Sequence, residues 1–244
     1  MILAPRRYRH EADTRRWRTC RVREETSDLY IRSSRDVEDE ARAILRTLRE
    51  QVRSHIDRQF EFHTSLTPVS RLPHVPPVIS MMYEASERAG VGPMAAVAGA
   101  IAECIGGILQ EQTEEIIIEN GGDIWLRLTR PASAAIFPGG IHFGAIPLLI
   151  RPERTPCGVC TSSARTGHSF SFGRADAATV MASSAALADA LATETCNRVR
   201  CADDMEEAAR YAIEHGADGV AIVLGERLVA LGGIEFTDAH GVTA

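Results

Sequence analysis

The sequence predicts an α+β fold in which a mixed or antiparallel sheet carries packed helices. Three observations predict it. Strand-like stretches and helix-like stretches are interspersed without the regular βαβ alternation of a doubly wound sheet. Short turns rich in glycine and acid join consecutive strands, as at Asn120-Gly121-Gly122-Asp123 and Gly225-Glu226. Two segments, residues 94–109 and 185–195, are so rich in alanine and glycine that neighbouring backbone or ligand can approach them closely.

In chain order, residues 17–32 alternate apolar and polar side chains around a break at 24–27 and predict a hairpin. Asp36 to Gln59 predicts a long helix with the apolar stripe Val37, Ala41, Ile44, Leu45, Leu48, Val52 and Ile56. Acids crowd its first turn and arginines follow, which suits the helix dipole. Pro68, Pro73, Pro76 and Pro77 mark residues 66–77 as a loop. Met81 to Ala89 predicts a short helix ended by Gly90, and Pro93 opens the next at its preferred first-turn position. Glu115–Glu119 and Ile124–Leu128 read as strands around the Gly-Gly turn. Further strands are expected at Ala145–Ile150, Gly158–Thr161 and Ala177–Ala182. Ser183 and Ser184 are candidate caps for the helix from Ala185 to about Thr195. Asp203 is expected to cap a helix through His215, before a closing hairpin of residues 219–224 and 228–236.

The 244 residues suit one domain of two sub-lobes sharing a core. The composition, 45% hydrophobic and 25% charged, is that of an ordinary soluble protein. No apolar run reaches the roughly 20 residues of a membrane span, and the first residues lack an export signal, so cytoplasmic residence is the expectation. All 27 basic residues are arginine, so any side-chain cation facing a phosphate must be arginine. The arginines of the first 60 residues alternate with apolar and acidic residues, which argues against a nucleic-acid arm.

Four constellations carry candidate chemistry. Asp189 and Thr193 stand one helical turn apart and present a carboxylate and a hydroxyl side by side. Such an oxygen pair suits a hard cation such as Mg²⁺, which keeps waters and substrate phosphates as its other ligands. The plainer reading makes Asp189 a solvent-facing acid and lets Thr193 bond its own backbone. The turn Asn120-Gly121-Gly122-Asp123 either aims backbone N–H groups at an anion or is an ordinary hairpin turn. Residues 161–176 gather six Ser/Thr hydroxyls with His168 and Asp176, a density suited to a phosphate or a polar ring, with His168 as an acid–base group. Cys157 and Cys160 have the spacing of a metal or redox pair, which Cys196 and Cys201 would complete. Ordinary buried thiols are the alternative.

These stretches together resemble the FAD:protein FMN transferases called ApbE, and within them a short cytoplasmic branch of mostly unassigned activity. The resemblance runs through Tyr8-Arg9, residues 91–103, Glu119 to Ile124, Cys160 to Ser163, Gly167-His168-Ser169, Ser171 to Gly173, Ala175 to Ala177, Ala188-Asp189-Ala190 and Asn197-Arg198-Val199. It implies that Asp189 and Thr193 bind Mg²⁺, with a backbone carbonyl near Ala100 or Ala102 as a further ligand. It implies that Asn120, Gly121, Gly122, Asp123, Thr161, Ser162, Ser163 and Ser169 line a flavin-nucleotide site, with His168 and Asp176 as catalytic groups. The implied activity is Mg²⁺-dependent binding of FAD or a related phosphorylated heterocyclic cofactor, with pyrophosphate or phosphoryl chemistry on it. A protein acceptor is an implied partner, and the helix at 94–109 is a candidate homo-oligomer face. Two departures stand out. Glu103 occupies the place where the transferases usually carry lysine, and an acid there is expected to repel a phosphate. Residues 167–176 stand in place of a longer insertion with a His-x-x-Asp-Pro segment. The rival readings are a non-catalytic cofactor-binding or handling protein with the same pocket, and a cysteine–metal protein.

Overall fold

The computed structural model describes residues 16–138, 144–164 and 173–237. Ten strands and six helices follow one another as β1 (Arg18–Glu24), β2 (Ser27–Ser33), α1 (Glu38–Arg58), α2 (Glu61–Thr64), α3 (Pro77–Ala89), α4 (Val97–Leu109), β3 (Ile116–Asn120), β4 (Asp123–Arg127), β5 (Ala132–Ile136), β6 (Ile146–Ile150), β7 (Cys157–Ser162), β8 (Ala177–Ala182), α5 (Ala185–Arg198), α6 (Met205–Glu214), β9 (Gly219–Leu224) and β10 (Arg227–Gly232). Eight strands form one sheet in the order β1-β2-β3-β4-β7-β8-β9-β10, and every neighbouring pair is antiparallel. The hairpin β5–β6 forms a separate two-stranded sheet. The α+β class and the antiparallel sheet expected from the sequence are both present.

Strand alternation sorts the side chains into two cores. On the helix face, Ile116 and Ile118 of β3, Trp125 of β4, Cys160 of β7 and Val180 of β8 pack with the helices. On the opposite face, Leu126, Cys157, Val159, Ala177 and Met181 pack with Ile136, Leu148 and Ile150 of the β5–β6 hairpin. Helix α5 lies centrally over β7 and β8 and beside α3 and α4. Eleven of its 14 residues are buried, and its exposed face is confined to Glu194, Asn197 and Arg198 in the last turn, too short to set a helical stripe.

The structure changes several boundaries. Helix α3 begins at Pro77, which takes the first-turn position, so the proline-rich loop is shorter than its prolines implied. Pro93 opens a 3₁₀ turn (Pro93–Ala96) and α4 follows at Val97. Strand β5 and the single-turn α2 escape the sequence reading, the first because Ala132–Ile136 is mostly alanine with little strand signal. The turn before α6 is capped by Cys201 and Asp204, not by Asp203. Strand β10 ends at Gly232 instead of reaching Phe236, which makes only an isolated bridge to Leu148. Ser184 does cap α5, its Oγ accepting from the Leu187 N–H. Among the described residues no single helix is long and apolar enough to cross a membrane.

Candidate functional site

The antiparallel topology gathers the β3–β4 turn, the end of β7, the start of β8 and the β9–β10 turn at one end of the sheet. Asn120 and Asp123 close the β3–β4 hairpin as a facing pair. Gly121 and Gly122 between them have φ of 77° and 120°, a conformation that side chains disfavour and glycine does not. Asp123 and Trp125 share a strand face, as do Asn120, Ile118 and Ile116, so both polar residues at the turn look toward the helices. The Asn120 Nδ2 donates to the Ala98 carbonyl at 3.1 Å and ties the turn to the start of α4.

Helix α5 brings Asp189 to the same place. Its Oδ2 accepts from the Gly99 N–H at 2.9 Å, so a carboxylate sits against the positively polarised first turn of α4. The approach depends on glycine. A Cβ on Gly99 would stand 2.1 Å from the Ala185 carbonyl oxygen and 2.9 Å from the Asp189 Cβ, and one on Gly158 would stand 2.3 Å from the Ala185 Cα. The first residue of α5 is thus seated between α4 and β7.

Asp189 is 7% exposed. Burial and the negative charge of Asp123 push its carboxyl well above the ordinary range, against the opposing pull of the Gly99 and Ala98 amides. The Thr193 Oγ1, one turn further along α5, is buried and makes no hydrogen bond. Neither half of the plainer reading holds, because Asp189 is not solvent-facing and Thr193 does not bond its own backbone. The Ser162 Oγ on β7 is likewise buried without a partner, on the strand face it shares with Cys160. The Cys160 thiol lies among these acids. Burial first, then Asp123 and Asp189 and more weakly Glu103, raise its pKa well above that of a free thiol, so it is a protonated wall of the site and no nucleophile.

A family model described as "AbpE bacteria" matches residues 9–238. The chain belongs to this family. Among its relatives, the UPF0280 protein of Methanospirillum hungatei is 38% identical over 192 residues, covering 78% of this chain and 77% of its own. That of Methanopyrus kandleri is 40% identical over 204 residues, covering 82% and 81%, and that of Methanocaldococcus jannaschii is 42% identical over 175 residues, covering 68% and 70%. Among solved structures, the flavin transferase ApbE from Vibrio cholerae aligns with a TM-score of 0.55 at 15% identity, over 88% of this chain and 96% of that one. The ApbE protein of Thermotoga maritima aligns with a TM-score of 0.56 at 14% identity, over 92% and 98%. Identities this low carry the fold.

In this ApbE-family chain the remaining candidates fall in different places. Thr161 points away from the helices and shares a hydrogen bond of 2.8 Å with Thr179 on the other face of the sheet. Ser163 lies just past β7, half-buried. Asp176 is buried, and its Oδ2 accepts from the Gly225 N–H at 2.7 Å, which ties it to the β9–β10 turn. His168 and Ser169 lie outside the described residues. Ala102 sits in the middle of α4, whereas the α4 groups seen against Asn120 and Asp189 belong to Ala98 and Gly99. Cys157 and Cys160 point to opposite faces of β7, into different cores. Cys196 is buried on α5 and Cys201 is exposed. Among the described residues no three His, Cys, Asp or Glu side chains gather as a metal site.

Two participants escape the sequence reading: the Gly99 amide, and Glu103 as a partner of α5. The small residues of α4 announced a close neighbour without naming it. Glu103 is half-buried and engaged on one oxygen. Its Oε2 accepts from the Ser184 Oγ at 2.8 Å and from the Ala186 N–H at 3.1 Å, a contact with the N-terminus of α5.

Proposed function

We propose that this protein binds the diphosphate of FAD, or of a related phosphorylated heterocyclic cofactor, through Mg²⁺ held by Asp189 and Thr193. The observation that carries the reading is the unpartnered Thr193 Oγ1 buried one turn from a carboxylate that another acid crowds. A buried hydroxyl without a partner costs about 1–3 kcal/mol, and among the described residues no cationic side chain pairs with Asp189. The donor set of carboxylate and hydroxyl oxygens fits a hard cation that takes its remaining ligands from water and phosphate. The family resemblance implies a further backbone carbonyl near Ala100 or Ala102; the α4 carbonyl that faces the turn is that of Ala98, and Ala102 lies mid-helix. Mg²⁺ bound there supplies neutralisation of the diphosphate charge.

The chain's own residues do the rest. The Gly121-Gly122 turn leaves backbone N–H groups able to face an anion. The Ser162 Oγ offers a donor to a ligand oxygen, and Asn120 holds the start of α4 in register with the turn. With the Asp176 carboxylate engaged at Gly225, His168 is the candidate base that would take the proton of an attacking hydroxyl, from a protein or from water, as its oxygen bonds the FMN phosphorus and the P–O–P bridge breaks to release AMP. The relatives titled flavin transferases support flavin as the ring.

Titration calorimetry with FAD, with and without Mg²⁺, tests the reading. FAD binding that strengthens with Mg²⁺ and falls by at least about tenfold in Asp189→Ala, roughly 1.4 kcal/mol, supports it. FAD, FMN and other nucleotides that leave both the calorimeter and the thermal midpoint unmoved refute it. The second reading is a cofactor-handling protein with this pocket and no turnover. It is favoured by Glu103, because the carboxylate engaged with α5 stands where the transferases carry a lysine. Release of AMP or FMN from FAD, or a protein acceptor gaining the mass of FMN, decides against it.

A further inference from the structure

We infer that Glu103 is a positioning residue for Asp189, setting the register of α5 on α4 from which Asp189 reaches the site. Its functional consequence rests on the metal reading of Asp189 given above, while its geometry stands apart from that reading. Gly99 and Glu103 are one turn apart on α4, and Ala186 and Asp189 are about one turn apart on α5. The Gly99 N–H donates to Asp189 at 2.9 Å, and the Ala186 N–H donates to Glu103 at 3.1 Å. The two helices therefore run in opposite directions along this contact, and each places a carboxylate on the first turn of the other. The four residues close a ring made of two amide-to-carboxyl hydrogen bonds and two helical turns.

Each bond joins a carboxyl oxygen to helix N–H groups that lack partners within their own helix, at the favourable pole of the dipole. Glu103 has a second hold through the Ser184 hydroxyl, which donates to it while accepting from the Leu187 N–H at 3.3 Å. Glu103 thus engages the donors of the first turn of α5 from outside, directly and through the cap. The seat of Ala185 between Gly99 and Gly158 lets α5 lie close without steric resistance, but steric contact alone does not resist sliding along the helix axis. The ring supplies that resistance. A lysine at 103 has no acceptor for the Ala186 N–H, so the junction requires a side-chain acceptor at this position.

Amide hydrogen exchange of Gly99, followed by NMR on the full chain without added metal or nucleotide, reads the ring directly. Glu103→Ala is expected to speed Gly99 exchange by about tenfold or more, as is Asp189→Ala, which removes the acceptor itself. Glu103→Gln, whose amide oxygen still accepts from Ala186, is expected to stay within about threefold of the parent. Glu103→Asp keeps the charge with a shorter reach, perturbs folding less than the alanine, and is expected to loosen Gly99 as well. Exchange at Val220 and Ile222, in β9, is expected to remain unchanged. Gly99 protection that survives in both Glu103→Ala and Glu103→Asp overturns the inference. So does a rise at Gly99 matched by the same rise at Val220 and Ile222, which would mark general destabilisation.

A second arm titrates Mn²⁺ alone, observed by electron paramagnetic resonance. Its affinity is expected to fall about 10- to 100-fold in Glu103→Ala and to be restored in Glu103→Gln. A parent protein that binds no Mn²⁺ would remove the metal reading of Asp189, while the exchange data would still decide the role of Glu103.

Discussion

The same substitution made at two glycines of one helix should move stability in opposite directions. At Gly99 an added Cβ stands 2.1 Å from the Ala185 carbonyl oxygen, about 1.3 Å short of ordinary contact, and its neighbours are backbone and the Asp189 stem, which cannot swing aside. At Gly107, eight residues along the same α4, an added Cβ meets nothing within 4 Å. Alanine is favoured over glycine in a helix by about 0.8–1 kcal/mol, so Gly107→Ala should gain about that much. Gly99→Ala gains the same helix preference but forces α5 outward by more than the Gly99–Asp189 hydrogen bond of 2.9 Å can follow. Overpacking costs about 1–3 kcal/mol and a hydrogen bond to a charged group about 1.5–3 kcal/mol, leaving a net loss of about 2–4 kcal/mol. For a chain of this length each kcal/mol shifts Tm by about 2–4 °C. Differential scanning calorimetry should therefore find Gly99→Ala lower by about 4–16 °C and Gly107→Ala higher by about 2–4 °C. Gly99→Ala should also lose the Mg²⁺ dependence of FAD binding. A Gly99→Ala protein as stable as the parent, or the two variants moving together, would refute the seating of α5 described above.

Thr193→Val removes the unpartnered buried hydroxyl at equal shape. The metal-free protein is expected to keep or gain up to about 1 kcal/mol, while the Mg²⁺ dependence of FAD binding weakens by about tenfold or more; calorimetry in EDTA and then with Mg²⁺ reads both, and a metal-free loss above about 1 kcal/mol contradicts the orphaned geometry. Glu115 predicts an acid limb to stability. Burial would raise its carboxyl, but the Arg16 guanidinium and the Thr129 amide and hydroxyl outweigh burial and hold it at about 2. A depressed folded-state pKa gives stability that is present above the ordinary 4.5 and lost as pH falls from there toward about 2. Glu115→Gln should cost about 2 kcal/mol at neutral pH, after discount for solvent screening, and should flatten denaturant-measured stability between pH 4.5 and 2 relative to the parent. An unchanged acid slope would show that the Arg16 pair contributes nothing. Asn120→Ala removes the donor to the Ala98 carbonyl and is expected to cost about 1 kcal/mol, read from the midpoint of a urea titration; a neutral result would leave the β3–β4 turn untied from α4.

Elements whose signal is local were legible in the sequence. The β1–β2 hairpin, α1 with its single apolar stripe, and the paired-glycine turn all stand where alternation, period and turn chemistry put them. Helix α5 was legible as a helix through its alanines and the Ser184 cap. Its central place was not, because a helix exposed only in its last turn has no amphipathic stripe to orient it. Strand β5 was missed for the opposite reason, since its alanines and Ser133 carry little strand preference and the hairpin takes its order from packing Ile136 against Leu148 and Ile150. The cysteine spacing misled in a way that strand geometry explains. Residues three apart on a strand face opposite ways, so Cys157 and Cys160 never meet.

The site was half legible, and the half that was missed concerns what the acids do to one another. Spacing alone put Asp189 and Thr193 on one face of one helix. Nothing local says that Asp189 spends one oxygen on the N-terminus of a helix 90 residues away in the chain, or that Glu103 returns the arrangement at Ala186. Those are consequences of two antiparallel helices brought close by glycine, and they change the sense of an acid at position 103. Judged as a free charge, Glu103 works against a phosphate ligand. Placed on the first turn of α5, its charge meets the positive pole of that helix, and its effect on a phosphate is screened by the amides it binds. The acid therefore does not argue against a nucleotide in this site. Under the proposed metal reading, the cation facing a diphosphate is the metal at Asp189 and Thr193, and α4 contributes an acid that holds α5.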